Sequence, residues 1–317
     1  MWRYGVMLVL AGIVLCGTVS IDPAAVNNPA QSAIVHGAKG AGVVRGQILL
    51  NRAHFSSGEI DGSFGTNLQK AVTAFQSERK LPVSGAIDAV TWEALNGDAA
   101  PALIPYTLTD EDVAGPFLPI PADVKAQAQM PALGYTSALE MLGEKFHSSP
   151  QLLQSLNPGA DFSKAGQQLM APNTVVMTPP VAGRLVVSKN ESSVRAYDSG
   201  GKLLAFYSAT IGSEHDPLPI GEWKIRGVAR HPKFHYNPDL FWDAKTTDGK
   251  ATLPAGPNNP VGMVWIDLSK EHYGIHGTPE PGKIGHTESH GCIRLTNWDA
   301  LELAAMVKPG TPATFQE

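Results

Sequence analysis

Two short stretches near the end of the chain, YGIHGT at residues 273–278 and SHGCIRL at residues 289–295, decide how the sequence is interpreted. They bring one thiol, that of Cys292, together with two imidazoles, those of His276 and His290. A cysteine thiol is mostly protonated at neutral pH, so a nucleophilic cysteine needs a neighbouring base or positive charge. The sixteen positions from His276 to Cys292 leave enough chain for the imidazole to approach the sulfur from a neighbouring strand. The pattern predicts a cysteine nucleophile with a histidine base.

The glycines beside these residues have a physical use in such a site. Gly291 permits the backbone to lie close to a substrate carbonyl, where N–H groups can stabilise an oxyanion. Gly277 can present its carbonyl to the His276 ring. An imidazole held in this way keeps a free nitrogen for the thiol, and we expect it to lower the pKa of Cys292.

The region around these motifs, residues 183–317, has the texture of a mostly β domain. Short β-rich runs occur at 185–187, 193–197 and 203–211, with a turn, DSGG, at 198–201. A single clear helix is predicted from about Asn297 to Met306. Thr296 begins a capping box, and Pro309-Gly310 stops the helix.

This domain closely resembles the catalytic domain of L,D-transpeptidases of the YkuD type. The resemblance rests on the two motifs and on supporting landmarks: the strand 203–212 that ends in glycine, the PxGxW turn at 219–223 and the closing VxPGT at 307–311. It implies Cys292 as nucleophile, His276 as base, the backbone of 290–292 as oxyanion hole, Gly277 as the group that orients His276, and His290 as a supporting residue. It also implies that Arg294 binds a substrate carboxylate as a bidentate donor, and Ser289 and Tyr273 are expected to contact substrate.

The reaction that the resemblance implies is acyl transfer in two steps. Cys292 attacks the carbonyl between meso-diaminopimelate and the terminal D-alanine of a tetrapeptide stem, which releases D-alanine and leaves a thioester. The amine of a second stem then forms a 3→3 cross-link. The same site could instead serve an L,D-carboxypeptidase or an enzyme that attaches an envelope protein. A non-catalytic wall-binding protein is the remaining alternative, and carbapenem-type β-lactams are the expected inhibitors.

A small helical module is predicted upstream, over residues 44–97. Apolar residues at Leu68, Ala71, Val72 and Phe75 follow helical spacing, and the segment is interpreted as three short helices. The segment resembles the peptidoglycan-binding domain type 1. Its matching residues are Leu49, the run IDGSFG at 60–65, Ala71-Val72, Phe75-Gln76, Gly85, Thr91-Trp92 and Leu95. Glycan strands are the partner that this resemblance implies.

Between the two modules, residues 104–177 resemble a degenerate LysM module. The landmarks are LNP at 156–158 and GQQL at 166–169, with 106–108 as a displaced first strand. The usual Gly-Asp-Thr opening is missing, so glycan binding by this piece stays open. The predicted fold class is therefore multidomain α+β: a three-helix bundle, a LysM-like α/β piece and a mostly β catalytic domain.

The N-terminus is interpreted as an export signal followed by a flexible linker. Residues 1–20 combine Arg3 with an apolar run that is too short to span a bilayer comfortably. A lipid anchor on Cys16 is the alternative. Residues 21–43 are rich in Ala, Asn, Pro and Gly, as expected of a tether. The mature chain would keep Cys292 as its sole cysteine, without a stable membrane span, in the periplasm or cell envelope.

The net charge of the chain and the spacing of its metal-ligand residues limit the partners and cofactors that the sequence predicts. The formal charge of -5 on 317 residues offers no basic surface for nucleic acid. His276, His286, His290 and Cys292 are metal-ligand types, but their spacing matches no ordinary zinc pattern. No metal or organic cofactor is therefore predicted. His231 and His235 are expected to line the substrate cleft or its surface, and His272 has no predicted role.

Overall fold

The computed structural model describes residues 20–174, 178–242 and 249–317, so that the predicted signal peptide lies outside the described residues except for Ser20. The helices are α1 (Pro23–Asn27), α2 (Ala41–Arg52), α3 (Thr66–Glu78), α4 (Ala89–Leu95), α5 (Asp110–Val113), α6 (Val124–Gln127), α7 (Ala138–Lys145), α8 (Pro150–Leu156) and α9 (Asn297–Met306), with 3₁₀ turns at Pro238–Leu240 and Pro281–Lys283. The strands are β1 (Phe55–Ser56), β2 (Leu103–Thr107), β3 (Gln168–Pro172), β4 (Arg184–Ser188), β5 (Ser193–Tyr197), β6 (Leu203–Ser208), β7 (Thr210–Ile211), β8 (Gly221–Arg230), β9 (Phe234–Tyr236), β10 (Ala251–Leu253), β11 (Val264–Leu268), β12 (Gly274–His276), β13 (Ile293–Arg294) and β14 (Pro312–Gln316).

The helical module (residues 41–95) contains the three helices predicted for this region, α2, α3 and α4. Their apolar faces meet in one core, in which Leu68, Phe75 and Trp92 are at most 4 % exposed. At the start of α4 the side chain of Asp88 accepts a hydrogen bond from the Thr91 N–H. The helical spacing of Leu68, Ala71, Val72 and Phe75 therefore corresponds to the buried face of α3, whereas α2 is buried on all sides from Val43 to Asn51.

The segment expected to be a flexible linker, residues 21–43, is instead ordered against the helical module. It carries α1, whose Val26 is fully buried, and the Arg45 guanidinium donates hydrogen bonds to the carbonyls of Val26 and Asn27. Low sequence periodicity suggested a tether, but the segment also pairs Ile34 with Ile87, and its Ser32 carbonyl accepts from the Trp92 indole. No helix among the residues from 20 onward that the structure describes is long and apolar enough to cross a bilayer.

The central segment (residues 103–172) has the order strand, helices, strand. Its β2 and β3 pair antiparallel, with α7 and α8 between them in the chain, preceded by the short helices α5 and α6. The Asn157 side chain after α8 exchanges two hydrogen bonds with the backbone of Met170 and so ties the helix to β3. The assignment of this segment to the LysM family stays a prediction, and residues 175–177 of the predicted range lie outside the described residues.

The C-terminal domain (residues 182–317) is the predicted mostly β domain with one helix, α9. Its sheet has the strand order β1-β6-β5-β4-β14-β8-β11-β12-β13-β7. Alternate residues of these strands, among them Val187, Ile266 and Ile293, pack with Leu303 and Met306 of α9 in one core. The predicted bounds of α9 are confirmed, and the Thr296 hydroxyl caps the helix by accepting from the Asp299 N–H.

The first strand of this sheet comes from the helical module. β1 pairs parallel with β6, with Phe55 opposite Phe206, and the Phe206 N–H donates to the His54 carbonyl at 2.9 Å. The ring of Phe55 also packs edge-on against Phe75 at 5.4 Å, and Phe206 belongs to the core of the helical module. The two parts of the chain therefore share both a sheet and a core.

Helix α9 is the element on which all parts of the chain meet. Four of its residues, within the first two turns, contact side chains from outside the C-terminal domain. The pairs are Asn297 with Glu144, Trp298 with His147, Asp299 with Ser56, and Glu302 with His54. Burial lowers the pKa of His147 to about 3, so this imidazole stacks on the Trp298 indole in its neutral form. The helical module and the central segment are thus both held against the helix that follows Cys292 in sequence.

Candidate active site

The parallel pairing of β12 with β13 decides which side chains share a face. Ile275 lies opposite Ile293, and His276 lies opposite Arg294. Both isoleucines are fully buried in the core of the C-terminal domain. Because side chains alternate along a strand, His276, Arg294 and Cys292 are directed to the other face. The two sequence motifs are therefore brought together on one side of the sheet.

His276 is held from two directions. Its Nδ1 lies 2.7 Å from the carbonyl oxygen of Gly277, as expected from the sequence, and its ring stacks on Trp265 at 5.4 Å with an interplanar angle of 15°. Since a carbonyl can only accept, Nδ1 carries the proton and Nε2 keeps a lone pair. Burial, with a smaller effect of the Arg294 charge, lowers the pKa of His276 to about 4. The imidazole is therefore neutral near pH 7 and able to accept a proton.

Cys292 is a free thiol beside this imidazole-bearing strand. Its Sγ donates to the carbonyl of His272 at 3.7 Å, and the Gly274 N–H donates to the sulfur. Burial nevertheless raises the pKa of Cys292, and this outweighs the opposing effects of the Gly274 hydrogen bond and the Arg294 charge. The expectation that the thiol pKa is lowered is wrong for this structure, because desolvation penalises the thiolate more than its neighbours stabilise it. The resting site holds a neutral thiol and a neutral imidazole.

Gly291 occupies a position that no other residue could fill without strain. Its φ of +91° lies in the left-handed region, and a Cβ there would stand 2.9 Å from Cε1 of Tyr273. The half-buried Tyr273 ring thus packs directly against the Gly291 backbone. This contact places Tyr273 at the wall of the site, next to the peptide that precedes the nucleophile.

Ser289, for which a substrate contact was expected, lies inside the loop that precedes Cys292. It is 3 % exposed, its hydroxyl donates to the Cys292 carbonyl, and its N–H donates to the Gly212 carbonyl at 2.9 Å. Because these contacts occupy its polar groups inside the loop, Ser289 holds the shape of the 289–292 turn. Sequence alone could not show this, since it depends on which way the side chain points.

Arg294 and His290 form the outer part of the site. An Nη2 of Arg294 lies 3.4 Å from Nδ1 of His290. The His290 ring packs edge-on against Phe241 at 5.0 Å and lies 6.0 Å from the ring of Trp242, which is 61 % exposed. His290 therefore contacts the guanidinium and an aromatic surface, whereas His276 is the histidine enclosed beside the sheet.

Several contributors to the site carried no signal in the sequence. These are the ring of Trp265, the carbonyl of His272, the amide of Gly274 and the aromatic pair Phe241 and Trp242. Alternation along β11 puts Trp265 on the face opposite Ile266, but its alignment with His276 requires the observed strand register. His272 was given no role, and its contribution comes from its backbone.

Three further histidines, His231, His235 and His286, are exposed. The Nδ1 of His235 lies 3.1 Å from the Thr252 hydroxyl, across the antiparallel pair of β9 and β10. His286 is exposed in a cleft between the helical module and the loop before Cys292. Across the described ranges, no three His, Cys, Asp or Glu side chains are grouped so as to hold a metal ion.

Comparison with known families identifies two regions of the chain. The L,D-transpeptidase catalytic domain, YkuD, matches residues 182–314, and a peptidoglycan binding domain matches residues 39–95. A Bacillus licheniformis protein named L,D-transpeptidase YkuD is 34 % identical over 176 residues, covering 55 % of this chain and 90 % of its own. The Escherichia coli K12 protein named L,D-transpeptidase YbiS is 28 % identical over 188 residues, covering 57 % of this chain and 61 % of its own.

Two of the solved structures that align with parts of this chain are L,D-transpeptidases. One, from Xylanimonas cellulosilytica, aligns with a TM-score of 0.38 at 15 % identity, covering 91 % of this chain and 99 % of its own. The other is L,D-transpeptidase 3 from Mycobacterium tuberculosis in complex with a faropenem-derived adduct, with a TM-score of 0.35 at 18 % identity, covering 47 % of this chain and 66 % of its own.

The burial of Cys292 predicts how its alkylation by iodoacetamide depends on pH. Because the raised pKa keeps the thiol protonated near neutrality, the rate constant is expected to rise about tenfold per pH unit between about pH 6 and 8.5, following the thiolate fraction. Peptide mass spectrometry assigns the adduct to Cys292. A rate that levels off below pH 7 would instead indicate a preformed thiolate and contradict the neutral pair.

Proposed function

The chain belongs to the L,D-transpeptidase family that carries a YkuD catalytic domain, and on this premise we propose that it is an exported enzyme that forms 3→3 cross-links between peptidoglycan stem peptides. Its place of action is the periplasm or cell envelope. The observation that carries the proposal is the 2.7 Å contact of His276 with the Gly277 carbonyl, on the face that also carries Cys292. The peptidoglycan-binding domain at residues 39–95 favours the same substrate.

The first step is acylation of Cys292. The sulfur attacks the carbonyl between the L-centre of meso-diaminopimelate and the terminal D-alanine, while Nε2 of His276 accepts the thiol proton. The tetrahedral intermediate then collapses, the bond to nitrogen breaks, and the same proton passes to the departing amine of D-alanine. Since both partners are neutral at rest, proton transfer accompanies the attack rather than preceding it.

The charge that develops on the substrate oxygen is stabilised by the backbone N–H groups of residues 290–292. Gly291 supports this role, because its left-handed φ of +91° is a conformation that favours glycine and shapes the 290–292 turn. Arg294, on the same face as His276, is the donor for a substrate carboxylate. Tyr273 forms the neighbouring wall of the donor site.

The second step transfers the acyl group from sulfur to an amine. The side-chain amine of diaminopimelate on a second stem attacks the thioester and forms the cross-link, and the thiol recovers its proton. Peptidoglycan binding by the helical module keeps glycan strands, and with them further stems, near the site. Transfer to water or to a protein amine would make the enzyme a carboxypeptidase or an attachment enzyme. Carbapenems, whose strained ring presents an acylating carbonyl, are expected inhibitors of the same thiol.

Incubation of the purified protein with disaccharide-tetrapeptide, followed by mass spectrometry of the products, tests the proposed function. The native chain is expected to give a cross-linked dimer and free D-alanine, and Cys292→Ala is expected to give neither. That substitution removes little packing, so folding should be nearly intact. The exposed His286→Ala provides a matched control that should retain the native product.

Other outcomes of this incubation identify the alternatives. Trimmed monomer without dimer would assign the protein as a carboxypeptidase. An unchanged substrate would contradict catalysis and favour a wall-binding role. Dimer formation by Cys292→Ala would reject the nucleophile.

The two histidines are predicted to differ in their contribution to the rate. His276→Ala removes the base and is expected to reduce the acylation rate about 10²- to 10⁴-fold. His290→Ala is expected to cost less, because His290 contacts Arg294 and Phe241. Single-turnover release of D-alanine measures both variants, with circular dichroism as the control for folding. A larger loss in His290→Ala than in His276→Ala would reverse the two roles.

A further inference from the structure

The peptide that holds His276 is itself supported by the side chain of Asn297. A Cβ added to Gly277 would lie 2.1 Å from the Oδ1 of Asn297, so the amide packs directly against the Gly277 backbone. Gly277 is the residue whose carbonyl accepts from Nδ1 of His276. Any displacement of the Asn297 side chain therefore changes the space available to that peptide.

Asn297 is fully buried, and its amide is hydrogen-bonded at both ends. Its Oδ1 accepts from the Met263 N–H at 3.1 Å, and its Nδ2 donates to the Pro257 carbonyl at 3.2 Å. Nδ2 also donates to an Oε1 of Glu144 at 2.9 Å. Met263 and Pro257 belong to the C-terminal domain, whereas Glu144 comes from α7 of the central segment. One partner of this amide is thus supplied from outside the catalytic domain.

We propose that Glu144 is a positioning residue for the base: by holding Asn297, it fixes the Gly277 peptide and thereby the orientation of the His276 imidazole. The inference rests on the proposed role of His276 in catalysis. Through this contact, the packing of the central segment against the C-terminal domain affects catalysis. Among the described residues, the central segment contributes no other group to the site. The contacts run from Glu144 to Asn297, to Gly277 and to His276 without a gap.

The surroundings of Glu144 explain how its carboxyl group can accept a hydrogen bond from Asn297 in the protein interior. Burial raises the pKa of Glu144 to about 8, and the nearby carboxylates of Glu140 and Glu59 act in the same direction, opposed by the Asn297 hydrogen bond. Near pH 7 the carboxyl is therefore mostly protonated. It accepts from Nδ2 without placing a full negative charge in the interior.

The experiment compares three variants of the full chain by acyl-transfer kinetics. Glu144→Leu removes the acceptor while filling the space, and it is expected to lower kcat about tenfold with KM within about twofold, as for one lost hydrogen bond in the transition state. Glu144→Gln keeps an oxygen for Nδ2 and is expected to retain native kcat. Glu140→Leu is the matched control, because Glu140 lies on the same helix and contacts Asn258 of the C-terminal domain, not Asn297.

A spectroscopic measurement keeps the inference testable independently of turnover. The Nδ1–H of His276 is expected to give a proton resonance protected from exchange in the native protein and in Glu144→Gln, and to broaden or disappear in Glu144→Leu. His276→Ala assigns the resonance. If Cys292 or His276 is not catalytic, the native protein will not show the proposed acyl transfer. The comparison of the His276 resonance between variants still tests whether Glu144 positions the imidazole.

The inference is overturned by any of three results. These are native kcat together with a native His276 resonance in Glu144→Leu, an equal loss in Glu144→Gln, or an equal loss in Glu140→Leu. If Glu144→Leu does not fold, Glu144→Ala replaces it, since it removes the acceptor for Nδ2 of Asn297 without adding bulk. That variant is expected to show the same fall in kcat and the same change in the resonance, and native behaviour would overturn the proposal.

Discussion

The pairing of β12 with β13 is the constraint on which the rest of the site depends. Two fully buried isoleucines, Ile275 and Ile293, lie opposite each other and anchor this pairing in the core. A shift of the pairing by one residue would direct the side chains of His276 and Arg294 into that core. The free-energy cost of placing these polar groups there would far exceed the free energy that the pairing contributes. The hydrophobic core of the domain therefore sets the position of its polar chemistry.

Helix α9 begins directly after β13 and connects the three parts of the chain. The helical module and the central segment both contact it within the C-terminal domain. Polar contacts such as Asp299 with Ser56 and Glu302 with His54 are buried or half-buried, so they specify how the helical module docks. The shared strand β1 adds backbone hydrogen bonds to the same junction. The peptidoglycan-binding domain is thereby fixed relative to the catalytic domain rather than tethered by a flexible linker.

The sequence predicted what local patterns encode and missed what depends on tertiary placement. The cap at Thr296 and the stop at Pro309-Gly310 gave the bounds of α9, and helical spacing gave the helical module. The two-residue strand β1 has no periodicity, and its partner β6 lies about 150 positions away along the chain. The raised pKa of Cys292 and the inward side chain of Ser289 follow from burial, which no motif encodes.

The most direct test of the account is the mass of the acyl-enzyme. The protein is mixed with disaccharide-tetrapeptide, quenched in acid within the first turnover, before a second stem has attacked the thioester, and digested for mass spectrometry. The account predicts a thioester on the peptide that contains Cys292, with a mass equal to the donor minus D-alanine. An adduct on another residue, or release of D-alanine with no covalent adduct at any time point, would contradict it.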